Sequence, residues 1–268
     1  MIYTVIHTDL PKEFKLSDGY IWTRVHVTDH NNPEKYLYTD TLDNIDNKNP
    51  NYCELTAMYW IWKNSKEDYV GLNHYRRRFI DTNGNVVPEV ELKNILNTTN
   101  CDMITKPAWN TLEAEHKTVV DTFNTLWTYK KDLDTVFNIT TQLYPEYKND
   151  IAWFKKQNLY YNCNIIYCKK ELYDRYCNWL FSILFEAEKQ LDSRVKTYTL
   201  PQSRIYGYMA ELLFNIYIHH NSLKVYPHTI TDKAKISKIP SIGKNKPKKE
   251  AKKDNKVDSK SNNFYLYF

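Results

Sequence analysis

No apolar run in this 268-residue chain approaches the ~18 residues that a membrane-spanning helix needs, and no segment repeats. The first apolar stretch, Ile2-Tyr-Thr-Val-Ile6, is too short for the hydrophobic region of a secretory signal and reads as a strand. Cysteine is also unhelpful as a framework. Cys53, Cys101, Cys163, Cys168 and Cys177 form an odd set without paired metal-ligand spacing or a His-rich companion, so free thiols in a reducing cytoplasm are expected. Excess positive charge is missing from most of the chain as well. The formal charge is +5, yet residues 232–260 hold eleven lysines against four acids (+7), which leaves about −2 for the rest. The basic character belongs to that segment, and no interleaving of aromatic and basic residues accompanies it, so a nucleic-acid-binding core is not implied. What the chain does have is apolar and aromatic matter: 42% hydrophobic residues, enough for a sizeable core, and 23 Tyr with 7 Trp, an excess of the kind that also serves sugar or base stacking.

Helix and strand patterns alternate, which predicts an α/β domain over 1–231 followed by a Lys-rich, low-complexity tail over 232–268 that is expected to be disordered. Strands are expected at Ile2–His7, Tyr20–Val27, Tyr69–Leu72, Asp102–Lys106 and Asn164–Cys168, with polar residues 31–51 as loop. Helices are expected at Glu89–Asn97, through most of 113–149, at 151–156, and over Lys170–Leu191 and Arg204–His219. Asn51 followed by Glu54 reads as a capping box opening a further helix, which presents Leu55, Met58, Tyr59 and Trp62 as its buried stripe.

The most informative stretch is this helix together with Tyr69-Val-Gly-Leu-Asn-His-Tyr-Arg-Arg-Arg78. An apolar strand ends abruptly in His and Arg, and the carboxyl end of an α/β strand is where ligands bind. His74, Arg76 and Arg77 are therefore candidate phosphate ligands, since guanidiniums grip phosphate bidentately. The competing readings are a solvated basic turn for the arginines and a structural histidine for His74. On the last helix, Arg204, Tyr208 and Glu211 fall at i, i+4 and i+7 and share one face, opposite the apolar stripe. Such a face is ordinarily solvated. Asp132 and Glu146 are placed on helix surfaces.

These residues carry a family resemblance. Asn49-Pro-Asn-Tyr-Cys-Glu-Leu-Thr56, Tyr59-Trp-Ile-Trp-Lys-Asn64 and Gly71-Leu-Asn-His-Tyr-Arg-Arg77 resemble the signature of a bacterial glycosyltransferase family of capsular and exopolysaccharide gene clusters, long catalogued as a domain of unknown function. Asn162-Cys-Asn-Ile-Ile166, Tyr176-Cys-Asn-Trp-Leu-Phe181 and Ser203-Arg-Ile-Tyr-Gly-Tyr-Met-Ala-Glu211 are similar to its later segments. Two departures stand out: Tyr129-Lys-Lys-Asp132 lacks the family's usual His-rich text, and Cys163-Asn164 replaces an Asn-Met pair.

The resemblance implies a GT-A-like nucleotide-diphosphosugar transferase fold with a central mixed sheet, a nucleotide-binding half at about 1–110 and an acceptor half at about 111–231. It implies transfer from a nucleotide-diphosphate sugar, a UDP-sugar with UDP-galactofuranose as one candidate, to a surface-polysaccharide or lipid-linked glycan. His7, Thr8, Asn44, Asn49, Tyr52, Glu54, His74, Arg76 and Arg77 become donor-side candidates; Asn164, Arg204 and Tyr208 become acceptor-side ones. Glu211 is the expected general base of an inverting reaction. Relatives of that fold hold a metal on an Asp-x-Asp loop, and Asn73-His-Tyr-Arg-Arg77 stands in that place, so no cofactor is expected. Mn²⁺ or Mg²⁺ is the second choice, with His74 as the first ligand to test. A non-catalytic glycan- or nucleotide-binding relative is the alternative. The basic tail, ending in aromatic Phe264–Phe268, is expected to touch the inner membrane face.

Overall fold

The computed structural model describes residues 1–8 and 15–231, and the tail with its expected disorder and membrane contact lies outside them. Strands β1 (Ile2–Ile6), β2 (Tyr20–Arg24), β3 (Tyr36–Tyr38), β4 (Tyr69–His74) and β5 (Met103–Thr105) are followed by a small ribbon of β6 (Trp109–Asn110) and β7 (Leu159–Tyr160), then by β8 (Ile166–Lys169) and β9 (Val225–Pro227). Apart from the ribbon they form one sheet in the order β3-β2-β1-β4-β8-β5-β9. The first four run parallel, β8 is antiparallel to both β4 and β5, and β9 runs parallel to β5.

Parallel strands covered on both faces need apolar side chains on both, and all five residues of β1 are buried. On one face Ile2, Tyr20, Ile104 and Tyr167 pack with Leu92 and Leu96 of α3 (Glu89–Thr99), a helix reached after α1 (Asn49–Tyr52) and α2 (Leu55–Asn64). On the other, Tyr3 meets the Trp60 ring of α2 at 6.2 Å and donates to Ser65. Where β4 passes β8 the strands approach closely at Gly71. A Cβ there would lie 2.9 Å from the Tyr167 ring and 3.1 Å from the Ile166 carbonyl oxygen, so only glycine fits. The remaining helices, α4 (Val119–Leu126), α5 (Lys130–Leu143), α6 (Lys148–Phe154), α7 (Lys170–Val195) and α8 (Ile205–His220), complete the chain.

Several expectations need correction. The capping box does not form. The chain breaks between α1 and α2 at Cys53, whose φ of 53° reverses its path, and neither helix has a side-chain cap. Asn51 instead donates to the Ser203 carbonyl at 2.6 Å. The helix is buried over the whole of Leu55–Ile61 while Trp62 is partly exposed, so a single stripe understates its burial. The expected loop over 31–51 contains β3, and the strand placed at Asn164 begins at Ile166. Asp132 is not on a surface: it is fully buried, accepts from Tyr198 at 2.7 Å and lies 3.1 Å from Arg194 Nη2.

Candidate active site

The carboxyl ends of β1, β2 and β4 lie along one edge of the sheet, and each ends in a basic residue. His7 follows β1, Arg24 closes β2 and His74 closes β4. The last strand then folds into a tight turn in which the Arg77 amide donates to the His74 carbonyl at 2.7 Å and the Arg76 amide to His74 Nδ1 at 3.3 Å. With Nδ1 accepting, the ring proton of neutral His74 sits on Nε2. His7 stacks on His74 at 6.3 Å and meets Tyr75 edge-on at 5.9 Å. The Arg76 guanidinium lies 5.3 Å from the Tyr75 ring centre, and its buried Nε has no partner among the described residues. Burial, then the charges of Arg76 and Arg77, hold His74 well below the usual imidazole range. Burial, then Arg76 and Arg204, also lower the pKa of His7. The edge is therefore strongly cationic without protonated histidines.

β8 brings the second chemical element. Its antiparallel register pairs Leu72 with Ile166, so the residues just before it lie beside the end of β4. Cys163 and Asn164 both have left-handed backbones, with φ of 74° and 49°. Non-glycine residues in that region are strained and persist only when their surroundings hold them. Here the Cys163 amide bonds the Glu211 carboxylate. Asn164 Nδ2 donates to Glu54 Oε1 at 2.8 Å and to the Gly207 carbonyl at 3.1 Å. The tandem thus ties the start of α2 to α8.

Glu211 is 3% exposed on a helix buried from Ile205 to Tyr217, so its face is not solvated. Burial, then the neighbouring Glu54, raise its pKa to about 8, against the pull of the Cys163 amide, Arg77 and Lys106. Its Oε1 is buried without a hydrogen-bond partner among the described residues. Lys106 follows β5 and donates to Asn162 Oδ1 at 2.6 Å and to the Pro107 carbonyl at 2.8 Å. Burial lowers its pKa, with Cys163 and Glu211 opposing. A buried carboxylate that is easily protonated therefore faces a bank of fixed cations.

The structure gathers His7, Glu54, His74, Arg76, Arg77, Asn164, Arg204, Tyr208 and Glu211 at this edge; Arg204 acts electrostatically on both histidines and on Tyr208, which also feels Glu211. Thr8 is the residue after His7. Three candidates are engaged in scaffolding. Tyr52 is fully buried with its hydroxyl on Glu188 at 3.1 Å. The Asn49 amide bonds the Cys53 carbonyl at 2.8 Å and Thr56 at 3.0 Å. Asn44 closes a turn with the Leu42 carbonyl and the Asp46 amide. Arg24, Lys106 and the Cys163 amide were missed. The strand-end rule that found His74 reaches the first two as well, while no sequence signal announces a left-handed backbone at a cysteine.

Among the described residues no three His, Cys, Asp or Glu side chains converge to hold a metal ion. The guanidiniums that flank the two neutral imidazoles at the strand end would oppose a dication, and without a carboxylate pair this donor set does not fit the metal implied by the fold family.

A family profile described as a domain of unknown function (DUF4422) matches residues 1–222. A solved structure described as the apo form of the WbbM bifunctional glycosyltransferase superposes with a TM-score of 0.70 at 30% identity, covering 85% of this chain and 44% of that one. The chain thus spans less than half the length of that protein. The shared architecture is a mixed α/β, GT-A-like fold. No curated protein sequence matches. No helix among the described residues is long and apolar enough to cross a membrane.

Proposed function

Because the chain belongs to the DUF4422 family, we propose that it is a glycosyltransferase that moves a sugar from a nucleotide-diphosphate donor, a UDP-sugar, to a surface-polysaccharide or lipid-linked glycan with inversion at the anomeric carbon. The observation that carries this reading is Glu211, a buried carboxylate with an oxygen unpartnered among the described residues, beside a cationic strand edge. In the step we envisage, the acceptor hydroxyl gives its proton to Glu211 as its oxygen bonds the anomeric carbon. The bond from that carbon to the diphosphate breaks, and the electron pair leaves with the diphosphate. Arg76, Arg77 and Arg204 then offset the developing negative charge, as fixed cations do best in a water-poor site. Asn164 and the Cys163 amide hold the base in place.

On this reading the arginines perform the charge neutralisation that a metal gives relatives with a carboxylate loop, and turnover is expected to persist in excess chelator. The test is to incubate the full chain with a panel of nucleotide sugars and follow slow donor hydrolysis, with and without EDTA. Hydrolysis of none of them, together with no UDP binding by calorimetry, would overturn the proposal. Hydrolysis that vanishes with EDTA and returns with Mn²⁺ or Mg²⁺ would overturn its metal-independent form, and His74 would be the first ligand to replace.

A further inference from the structure

Most of the aromatic residues are buried in the core, and one line of them leads away from the proposed base. Tyr208 lies three residues before Glu211 on α8, about 4.5 Å along the helix axis and on the same side. It is 3% exposed, and its phenol is electrostatically coupled to Arg204, Cys53, Glu211 and Glu54. The ring of Trp127 lies against it, nearly parallel at 21°, with centroids 5.9 Å apart. Phe123, fully buried, meets the indole edge-on at 5.0 Å and Tyr208 at 6.4 Å. Trp127 is the residue that ends α4, and the amides of Trp127 and Thr128 both return to the Phe123 carbonyl, at 2.9 and 2.8 Å. Backbone and ring are thus fixed by buried neighbours, yet the residue is partly exposed.

We propose that Trp127, backed by Tyr208, is a stacking platform for a pyranose ring of the acceptor glycan. This rests on the sugar-transfer reading above. A pyranose presents a face of C–H bonds, polarised positive by the ring's oxygens, and a rim of hydroxyls. The C–H face complements the electron-rich face of an aromatic ring, whose positive edge and negative face set the geometry of such contacts. A ring already immobilised by Phe123 and Tyr208 loses little freedom on binding, so the contact energy is retained. The platform would position a sugar within a ring or two of the Glu211 carboxylate, where its reacting hydroxyl is needed.

The experiment uses the full chain and methyl β-glucopyranoside, methyl β-galactopyranoside and methyl N-acetyl-β-glucosaminide as probes. Limited oxidation with N-bromosuccinimide, read peptide by peptide in a mass spectrometer, should modify Trp127 in the free protein. At least one pyranoside should protect it while leaving exposed Trp153 unprotected, and UDP should not. Saturation-transfer NMR should show that probe's ring C–H protons in contact with the protein, weakened about ten-fold in Trp127→Leu and less in Trp127→Phe. UDP affinity should be unchanged in both variants. The proposal is overturned if Trp127 resists oxidation in the free protein, if no pyranoside protects it, if UDP alone does, or if a folded Leu variant binds the probe as the parent does. Protection is measured on the parent protein, so it decides the matter even where a variant fails to fold. Donor hydrolysis and UDP binding by the parent separate the two claims: hydrolysis without protection removes the platform alone, and the absence of both hydrolysis and UDP binding removes the transferase reading.

Discussion

Arg76 and Glu211 divide the work at the proposed site between a fixed positive charge and a movable proton. Arg76 is half-buried, its Nε has no partner among the described residues, and burial lowers its pKa first, with Arg77 and Arg204 adding to the effect. A guanidinium held among like charges has much to gain from a diphosphate. Arg76→Ala is expected to weaken UDP binding about ten- to a hundred-fold, the loss of a charge-assisted hydrogen bond of roughly 1.5–3 kcal/mol. Arg77→Ala should do the same, with Arg77→Lys as the check on folding because Arg77 is only 6% exposed. Unchanged UDP affinity in calorimetry for both positions would remove the strand-end phosphate site. Glu211→Gln keeps the shape and loses the proton acceptor. Transfer should fall by ~10²–10⁴-fold while donor affinity stays within a factor of a few, the usual cost of removing a general base. Near-full turnover in the variant would return Glu211 to a purely structural role.

At the scale of elements, what could be read from the sequence depended on how local the determining physics is. β4 and its basic turn were legible because an apolar run ends in His74-Tyr-Arg-Arg77, and α7 and α8 because their apolar periodicity is long. β3 and β9 were not, because three-residue strands at the sheet's edges leave too short a pattern, and Pro227 can stand in a strand only at such an edge. The misread cap came from a backbone reversal at Cys53, which composition does not encode. The helix-face pattern of Glu211 pointed to solvent, whereas the tertiary fold buries it, with its carboxylate bonded to the Cys163 amide and Asn164 tying Glu54 to the Gly207 carbonyl of the same helix. Asp132 shows the same limit. It looked like one more acid in a charged first turn, yet α5 packs on α7 so that its carboxylate anchors Tyr198 and lies near Arg194, off the line of a good hydrogen bond. Asp132→Ala should cost about 1–3 kcal/mol in denaturant unfolding, since it strips a half-buried phenol and a half-covered guanidinium of their buried acceptor. Asp134→Ala, whose partner Lys130 is exposed, should cost roughly 0–0.5 kcal/mol. Equal effects would mean that Asp132 does not anchor the segment leading to α8.

For the molecule as a whole, the site stores its chemistry as a stability cost that varies with pH. Glu211 has a folded-state pKa of about 8, raised by burial and then by Glu54 above the carboxyl's ordinary 4.5. Between those values the native state binds a proton that the unfolded chain has released. Its contribution to stability is therefore complete below pH 4.5 and is lost as the pH rises through about 8. His7 and His74 work in the opposite sense, because their lowered pKa values make the native state lose stability as pH falls below the imidazole's ordinary 6.5. The parent's curve is thus a sum of opposed slopes, and the difference between Glu211→Gln and the parent isolates the carboxylate. That difference should favour the variant increasingly from pH 4.5 to 8, at a slope of up to ~1.4 kcal/mol per pH unit, and level off on either side. Urea unfolding at half-unit intervals from pH 5 to 9 measures it. A flat difference across the window would mean that Glu211 titrates as an ordinary surface carboxylate. In that case Glu211 would reach neutral pH already ionised, and burial would not be tuning the base. A rising difference would instead tie the protein's alkaline instability to the group that its proposed reaction requires.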